Sequence, residues 1–200
     1  MGACLGKLLS ELPDGQGHAT ATHPQQAYSG QHQPHGALDK PSHAGVPQSS
    51  AHGVQYTIED ARVVRVPDGD TFYVEYAGPD GRLVEARVRL MGIDCPEKAQ
   101  EFGLEARNIG RGMVQGRTVT LLVHTTDQYG RLVADIHTEA GQDYGQEMLR
   151  AGAAWHYTHY DNRQELASLM QDAKAARRGL WAYPNPQPPW DYRRAHPRQN

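Results

Sequence analysis

Hydrophobic and polar positions alternate in short runs after about residue 53, and this pattern predicts β-strands. Between Val84 and Leu90 every second residue is apolar and the residues between are charged, which predicts a strand with one buried and one charged face. Similar runs are separated by turns that contain Gly, Asp or Pro. Together they predict five strands: Ala61–Val66, Thr71–Tyr76, Leu83–Met91, Thr118–Val123 and Leu132–His137.

Three further segments are predicted to be helical, near Glu101–Gln115, Tyr144–Arg150 and Arg163–Arg177. The second and third are followed by Gly152 and Gly179, as expected of glycines that end helices. The Pro-rich segment after Trp181 is predicted to be extended. Five short antiparallel strands and about three helices predict an α+β fold, because strands of this length close into a five-stranded OB-fold barrel more readily than they form a sandwich.

The segment from about residue 13 to residue 53 consists mainly of Gly, Pro, Gln, Ser and His. It cannot bury enough apolar surface to offset its ordering entropy, so we predict a disordered N-terminal tail over residues 1–53. A folded domain is predicted over residues 54–194, with a flexible C-terminus over 195–200. Irregular spacing argues against metal binding by the histidines of the tail: His18, His23, His32, His35, His43 and His52.

The formal net charge of -3 argues against a protein that holds nucleic acid mainly through a basic face. A metal-dependent nuclease is compatible with this charge, because its site must collect carboxylates. The two cysteines, Cys4 and Cys95, are far apart and form no recognisable metal or redox pair, which favours a reducing compartment. No apolar run is as long as a membrane span.

A set of carboxylates and arginines lies at predicted strand ends and turns: Asp68, Asp70, Arg89, Asp94, Glu97 and Arg131. A phosphodiester hydrolase needs a divalent cation, cationic donors for the developing charge and a group that orients or deprotonates water. Taken alone, each motif has a commoner interpretation. Asp-Gly-Asp-Thr is usually a turn, Glu97 suits a helix N-terminus, and both arginines suit a solvated surface. The combination in this order favours a hydrolytic site.

This combination resembles the staphylococcal nuclease (thermonuclease) family. Five runs carry the resemblance, with compatible spacing over residues 54–194: Val64-Arg65-Val66-Pro67-Asp68-Gly69-Asp70-Thr71, Val88-Arg89-Leu90-Met91-Gly92-Ile93-Asp94-Cys95-Pro96-Glu97, Phe102-Gly103-Leu104-Glu105-Ala106, Asp127-Gln128-Tyr129-Gly130-Arg131 and Gly179-Leu180-Trp181.

The resemblance implies a role for each matching residue. Asp70 and Asp94 would hold Ca²⁺ together with the backbone carbonyl of Cys95, which stands where the family usually has threonine. Glu97 would be the general base or orient the attacking water. The resemblance further implies that Arg89 and Arg131 bind phosphate, each able to make a bidentate contact. Asp68 would at most support the ligands.

Tyrosines near the pocket bind the nucleotide in this family. Tyr129 matches one of them, and Tyr157 and Tyr160 are further candidates, although Tyr157 is equally compatible with packing against the barrel. His156 and His159 are spaced like zinc ligands, but no third or fourth ligand lies nearby in the sequence, so zinc is not predicted.

The C-terminal half resembles plant calcium-dependent nucleases of the same family, in Ala154-Trp155-His156-Tyr157 and Pro189-Trp190 among other runs. Those proteins also begin with Met-Gly and a nearby cysteine, as Gly2 and Cys4 do here. Myristoylation of Gly2 and palmitoylation of Cys4 would anchor the chain to a membrane surface, although Gly6 departs from the acylation pattern. An unmodified start is the alternative.

The sequence therefore predicts a calcium-dependent endonuclease that hydrolyses DNA and RNA, with single-stranded substrates preferred, and by resemblance leaves 3′-phosphate ends. We expect a monomer at the cytoplasmic face of the plasma membrane if acylated, and otherwise in the cytoplasm. A non-catalytic OB-fold module that binds nucleic acid is the alternative, and a membrane-tethered passive scaffold is a further one.

Overall fold

A computed structural model of the 200-residue chain describes residues 53–197, which belong to one compact unit. Outside the described residues lie residues 1–52, which include nearly all of the predicted tail and the acylation candidates Gly2 and Cys4, and the last three residues. Residues 53–197 contain seven strands: β1 Tyr56–Asp68, β2 Thr71–Ala77, β3 Leu83–Leu90, β4 Ile93–Asp94, β5 Thr118–Thr126, β6 Leu132–Thr138 and β7 Trp155–His156. The helices are α1 Gly103–Val114, α2 Tyr144–Arg150, α3 Gln164–Ala175 and α4 Pro189–Ala195, with a 3₁₀-helix at Gly179–Ala182.

Five strands close into a barrel in the order β1-β2-β3-β6-β5, which confirms the predicted α+β fold with an OB-type barrel. The expectation that all five strands run antiparallel is wrong, because β3 and β6 pair in parallel, with Val88 opposite Leu132. Two strands and a helix, β4, α1 and β5, separate them in the sequence, and this long connection lets the chain return in the same direction. The parallel pair closes the barrel.

Alternation along β3 is confirmed, since Val88 and Leu90 are buried and Arg87 is exposed. The first strand is longer than predicted. Polar residues at positions 59 and 60 interrupt its alternation, and Asp60 adopts a left-handed backbone with φ of 54°. The register of β1 against β5 shifts between Ile58 and Ala61, as at a β-bulge. The bulge lets one bent strand pair with both of its neighbours.

The C-terminal segment differs from its prediction, because residues 189–195 form helix α4 instead of an extended tail. Pro189 occupies the first turn, where proline is tolerated because its missing N–H has no helical partner. Trp190 packs on the folded domain, with its ring stacked on that of Tyr157 at 5.3 Å and edge-on to that of Trp155 at 5.7 Å. Tertiary packing thus makes this short helix.

Helix α2 packs against the barrel. Tyr144 is fully buried, and its ring meets that of Phe72 edge-on with the centroids 5.0 Å apart.

In the part of the chain that the structure describes, no helix is long and apolar enough to cross a membrane. Cys95 is buried and free.

Candidate active site

The turn between β1 and β2 carries Asp70 into the interior of one end of the barrel. Asp70 is 7% exposed, and its Oδ2 accepts a hydrogen bond from the backbone N–H of Cys95 at 2.8 Å. Gly69 is required beside it, because a Cβ there would lie 2.7 Å from the Sγ of Cys95. The hydroxyl of Tyr144 donates to the carbonyl of Gly69 at 2.7 Å. These contacts fix the carboxylate against the Asp94–Glu97 segment.

Asp94 lies on the short strand β4, which pairs with β7 so that Asp94 faces Trp155. This pairing was not predicted, because two-residue strands have no recognisable alternation. Gly92, with φ of 75°, makes the bend before β4, and a side chain there would overlap the carboxylate of Asp161. Asp94 is 1% exposed as a result.

Arg89 links these two segments. Its Nη2 donates to Oδ1 of Asp94 at 2.9 Å, and its Nη1 lies 3.7 Å from Oδ2 of Asp70. Nη1 also donates to the carbonyls of Leu90 and Ile93, at 2.9 and 2.8 Å. Burial alone would lower the pKa of Arg89, but the Asp70 and Asp94 carboxylates raise it above the ordinary value. Arg89 is therefore a fixed cation in the floor of the site.

The two carboxylates repel each other across this floor. Burial, reinforced by the charge of Asp70, raises the pKa of Asp94 above its ordinary value even though Arg89 and Arg193 act in the opposite direction. A nearby cation favours the charged form of a buried carboxylate. Hard oxygen donors of this type are the ligands that Ca²⁺ prefers, together with carbonyls and waters. The donor chemistry of Asp70, Asp94 and the Cys95 carbonyl therefore fits calcium.

No group of three or more His, Cys, Asp or Glu side chains able to hold a metal occurs among residues 53–197. A cation at Asp70 and Asp94 would consequently depend on backbone, water or phosphate oxygens for its other ligands. The two histidines with the spacing of zinc ligands differ in exposure: His156 is buried, whereas His159 is exposed.

Glu97 stands at the rim, with its side chain 26% exposed. Its backbone N–H donates to Oε1 of Gln100 at 2.8 Å, which holds the loop before α1. Its Oε1 accepts a hydrogen bond from Nη1 of Arg193 at 3.0 Å. The carboxylate of Glu97 is thus brought to the same guanidinium as that of Asp94.

Arg193 on α4 is the residue of this cluster that sequence reasoning missed. Its Nη2 donates to Oδ2 of Asp94 at 2.7 Å, and its Nη1 lies 3.3 Å from Oδ1 of Asp94. Burial would lower the pKa of Arg193, but hydrogen bonds and charge from Asp94 and Glu97 raise it. Trp190 and Arg193 are three residues apart and lie on one face of α4, but this spacing is informative only once residues 189–195 are known to be helical.

Arg131 precedes β6 and is joined to a different carboxylate. Its Nε donates to Oδ2 of Asp127 at 2.7 Å, and Oδ1 of Asp127 accepts from the backbone N–H groups of Tyr129 and Arg131. Burial would raise the pKa of Asp127, but these hydrogen bonds lower it. Within residues 53–197, the polar contacts of Arg131 therefore run to its own turn and not to the Asp70–Asp94 cluster.

The candidate tyrosines fall into two groups. Tyr129 is 71% exposed, with the Arg131 guanidinium 5.5 Å from its ring centroid. Tyr157 is half-buried between Trp190 and Tyr160, and Tyr160 is exposed. Both interpretations of Tyr157 therefore keep some support, since it packs under α4 and still reaches the surface.

Comparisons with known proteins identify a family model and several relatives. The family model described as "Staphylococcal nuclease homologue" matches residues 87–183, a range that contains Arg89, Asp94, Glu97 and Arg131. A protein of Oryza sativa named "Probable staphylococcal-like nuclease CAN1" is 42% identical over 144 residues, which are 72% of this chain and 41% of the rice protein.

A protein of Escherichia coli named "Uncharacterized endonuclease" is 41% identical over 132 residues, 66% of this chain and 83% of the bacterial protein. The Arabidopsis thaliana protein "Staphylococcal-like nuclease CAN1" is 45% identical over 108 residues, 54% of this chain and 33% of that protein. The chain thus spans less than half the length of these plant relatives but most of the bacterial one.

The fold and the site together define a small OB-type barrel with carboxylates and an arginine gathered at one end. The chain belongs to the staphylococcal nuclease homologue family. The printed names of these relatives describe nucleases and an endonuclease.

Proposed function

We propose that this chain is a calcium-dependent endonuclease that hydrolyses phosphodiester bonds in DNA and RNA and leaves 3′-phosphate ends. The gathering of the Asp70 and Asp94 carboxylates around Arg89 is the observation that carries the proposal. The two carboxylates are buried on either side of one guanidinium, and hard oxygen donors of this kind suit a divalent cation. Family membership supports the same reaction class.

Asp70, Asp94 and the Cys95 carbonyl would hold Ca²⁺, which when bound supplies positive charge to a phosphate oxygen. Arg89 is held by backbone carbonyls and by Asp94, so little reorganisation is needed for it to stabilise negative charge at a phosphate. Glu97 at the rim would orient or deprotonate the attacking water. By resemblance to the family, the 5′-oxygen is the leaving group.

Arg131 would provide the second phosphate contact. Asp127 engages Nε of Arg131, which leaves its terminal nitrogens for a bidentate contact with phosphate oxygens. Tyr129 next to it, and Tyr157 and Tyr160 beside α4, are candidates for stacking on nucleobases, which every base permits because each has a π-face. Stacking of this kind would suit the preference for single strands.

A cleavage assay tests the proposal. Purified protein is incubated with single-stranded DNA or RNA in Ca²⁺ or in excess chelator, beside the double variant Asp70→Ala/Glu97→Ala. The double variant Asp80→Ala/Glu85→Ala is the matched control, because both residues are exposed on the β2–β3 hairpin. We expect cleavage by wild type and control in Ca²⁺ alone, with phosphatase-sensitive 3′ ends detected by mass spectrometry.

Equal cleavage by the Asp70/Glu97 variant would refute the site assignment, and cleavage that survives the chelator would refute the calcium dependence. Calcium-independent binding of DNA without cleavage would instead support the alternative, a non-catalytic OB-fold module. Light scattering coupled to size exclusion tests the expected monomer.

We further propose that acyl chains on Gly2 and Cys4 hold the protein at the cytoplasmic face of the plasma membrane, with a cytoplasmic location if they are absent. Two chains are needed because one myristoyl group gives marginal, reversible membrane binding. Mass spectrometry of the mature N-terminus tests the modification, and an unmodified terminus in a membrane fraction would contradict the anchor.

A further inference from the structure

The guanidinium of Arg193 lies on the oxygens that a metal at the candidate site would need. We propose that the positively charged Arg193 competes with the metal ion for Asp94. Helix α4, which carries Arg193, is then a latch that must move before the metal ion can bind fully. This inference rests on the proposed function, because it concerns the calcium site formed by Asp70 and Asp94.

The overlap is defined atom by atom. Oδ2 of Asp94 accepts from Nη2 of Arg193 at 2.7 Å, while Oδ1 is shared between Arg89 at 2.9 Å and Arg193 at 3.3 Å. Both oxygens of Asp94 therefore already face guanidinium donors. Arg89 lies in the floor with its side chain 15% exposed, whereas the side chain of Arg193 is 42% exposed and lies on the outer side. Arg193 is the donor that can leave.

The same guanidinium also contacts the carboxylate of Glu97, the candidate general base. Nη1 of Arg193 donates a hydrogen bond to Oε1 of Glu97 at 3.0 Å. A carboxylate that takes a proton from water must offer a lone pair to that water, and the contact with Arg193 uses one of these lone pairs. The latched arrangement thus weakens both the metal site and the base through one side chain.

Helix α4 is built to deliver and release this side chain. It has seven residues, and it is held through Trp190, whose ring stacks on Tyr157, and through the preceding chain, where the carbonyl of Gln187 accepts from Gln100 at 3.0 Å. Trp190 and Arg193 are three residues apart and so lie on the same side of the helix. A short helix with few anchors belongs to the least stable part of a fold, and it can detach without unfolding the barrel.

Charge explains why the latch closes when metal is absent. The carboxylates of Asp70, Asp94 and Glu97 outnumber the floor cation Arg89 by two charges, and Arg193 removes half of this excess. A divalent ion would remove all of it, so the two cations are alternatives at Asp94. The apparent metal affinity is then reduced by the fraction of molecules that are latched.

Isothermal titration with Ca²⁺ tests the latch without an activity measurement. The proteins are the full chain as wild type, Arg193→Gln, Arg194→Gln and Asp70→Asn. Arg194 is the matched control, because its side chain is 80% exposed and pairs with Asp191 at 3.2 Å. If nine in ten molecules are latched, Arg193→Gln should lower the Kd for Ca²⁺ about tenfold. Arg194→Gln should leave the Kd unchanged, and Asp70→Asn should weaken binding.

Hydrogen exchange provides the second measurement. We expect Ca²⁺ to speed exchange of the amides in residues 189–195 of the wild type, and we expect the same faster exchange in Arg193→Gln before any metal is added. Protection of this segment that is independent of Ca²⁺ would overturn the latch.

The outcomes separate the two proposals. An equal or higher Kd for Arg193→Gln, with calcium-dependent cleavage intact, refutes the latch and leaves the nuclease assignment standing. Absence of Ca²⁺ binding in both wild type and Arg193→Gln, together with no calcium-dependent cleavage, refutes the calcium site and the latch with it. The strongest support for the latch would be Ca²⁺ binding by Arg193→Gln under conditions in which the wild type binds no Ca²⁺.

Discussion

The hydroxyl of Tyr144 donates to the carbonyl of Gly69 at 2.7 Å and so ties helix α2 to the turn that presents Asp70. Burial strongly raises the pKa of this phenol, which keeps it protonated as a donor. Gly110 on α1 makes the contact possible, because a side chain there would overlap the Tyr144 hydroxyl. Elements that are distant in the sequence thus set the position of one candidate metal ligand.

The first prediction concerns this hydrogen bond. Tyr144→Phe keeps the ring against Phe72 but leaves the Gly69 carbonyl without its buried donor, so the free energy of unfolding should fall by about 1–3 kcal/mol. Urea denaturation measures the loss. Tyr56→Phe is the control, since Tyr56 is exposed on β1, and an equal loss in both variants would contradict the role given to Tyr144.

Glu97 carries the second prediction. Glu97→Gln should slow cleavage by about 10²–10⁴-fold, the usual contribution of a positioned acid–base group, because the amide cannot accept a proton from water. Calcium affinity should not weaken, since Glu97 is not placed among the metal ligands. Single-turnover kinetics with calcium titration separates the two effects. Glu101→Gln, exposed four residues later, should behave as wild type; a rate loss of the same size there would argue against a special role of Glu97.

The third prediction concerns the arginine outside the main cluster. Arg131→Ala should reduce kcat by about 10²–10³-fold, by analogy with the loss of one donor to a developing negative charge. Arg82→Ala is matched to it, because Arg82 also lies in a turn and pairs with a nearby aspartate, Asp80, at 3.5 Å. An unchanged kcat in Arg131→Ala would show that Arg131 stabilises the Asp127 turn and does not act on the phosphate.

A buried network on β6 leads to the fourth prediction. Asp135 bonds Arg163 at 2.9 and 3.1 Å and His124 at 3.0 Å. Burial would raise the pKa of Asp135, but these partners lower it below its ordinary value. A lowered native pKa adds stability that is fully present above the unfolded value of about 3.9 and is lost as the pH falls through the native pKa.

Asp135→Asn should therefore be less stable than wild type at pH 7, and the difference should narrow below about pH 4. Urea unfolding from pH 7 to pH 3 follows both proteins. Asp80→Asn removes an exposed carboxylate and should give parallel curves; a difference between Asp135→Asn and wild type that is constant with pH would contradict the assignment.

Local patterns were enough to predict the barrel and most of its elements. Helix α2 begins and ends where predicted, and β3 alternates as expected. The periodicity of a half-buried strand or helix depends on residues that are close in the sequence, so it can be recognised there. Asp70, Arg89, Asp94 and Glu97 were selected from their order and spacing, and the structure places them close to shared guanidinium groups. Their roles as ligands, phosphate binders or base remain predictions.

Other features depend on contacts between distant segments. The parallel pairing of β3 with β6, the two-residue strands β4 and β7 and the helical state of residues 189–195 have no local signal, because each is stabilised by a partner far away in the chain. The sequence by itself determined which residues could form an oxygen-rich, cationic site. Only the tertiary structure decided that Arg193 covers Asp94 and Glu97, since residues about a hundred positions apart meet only when packing places α4 beside β4.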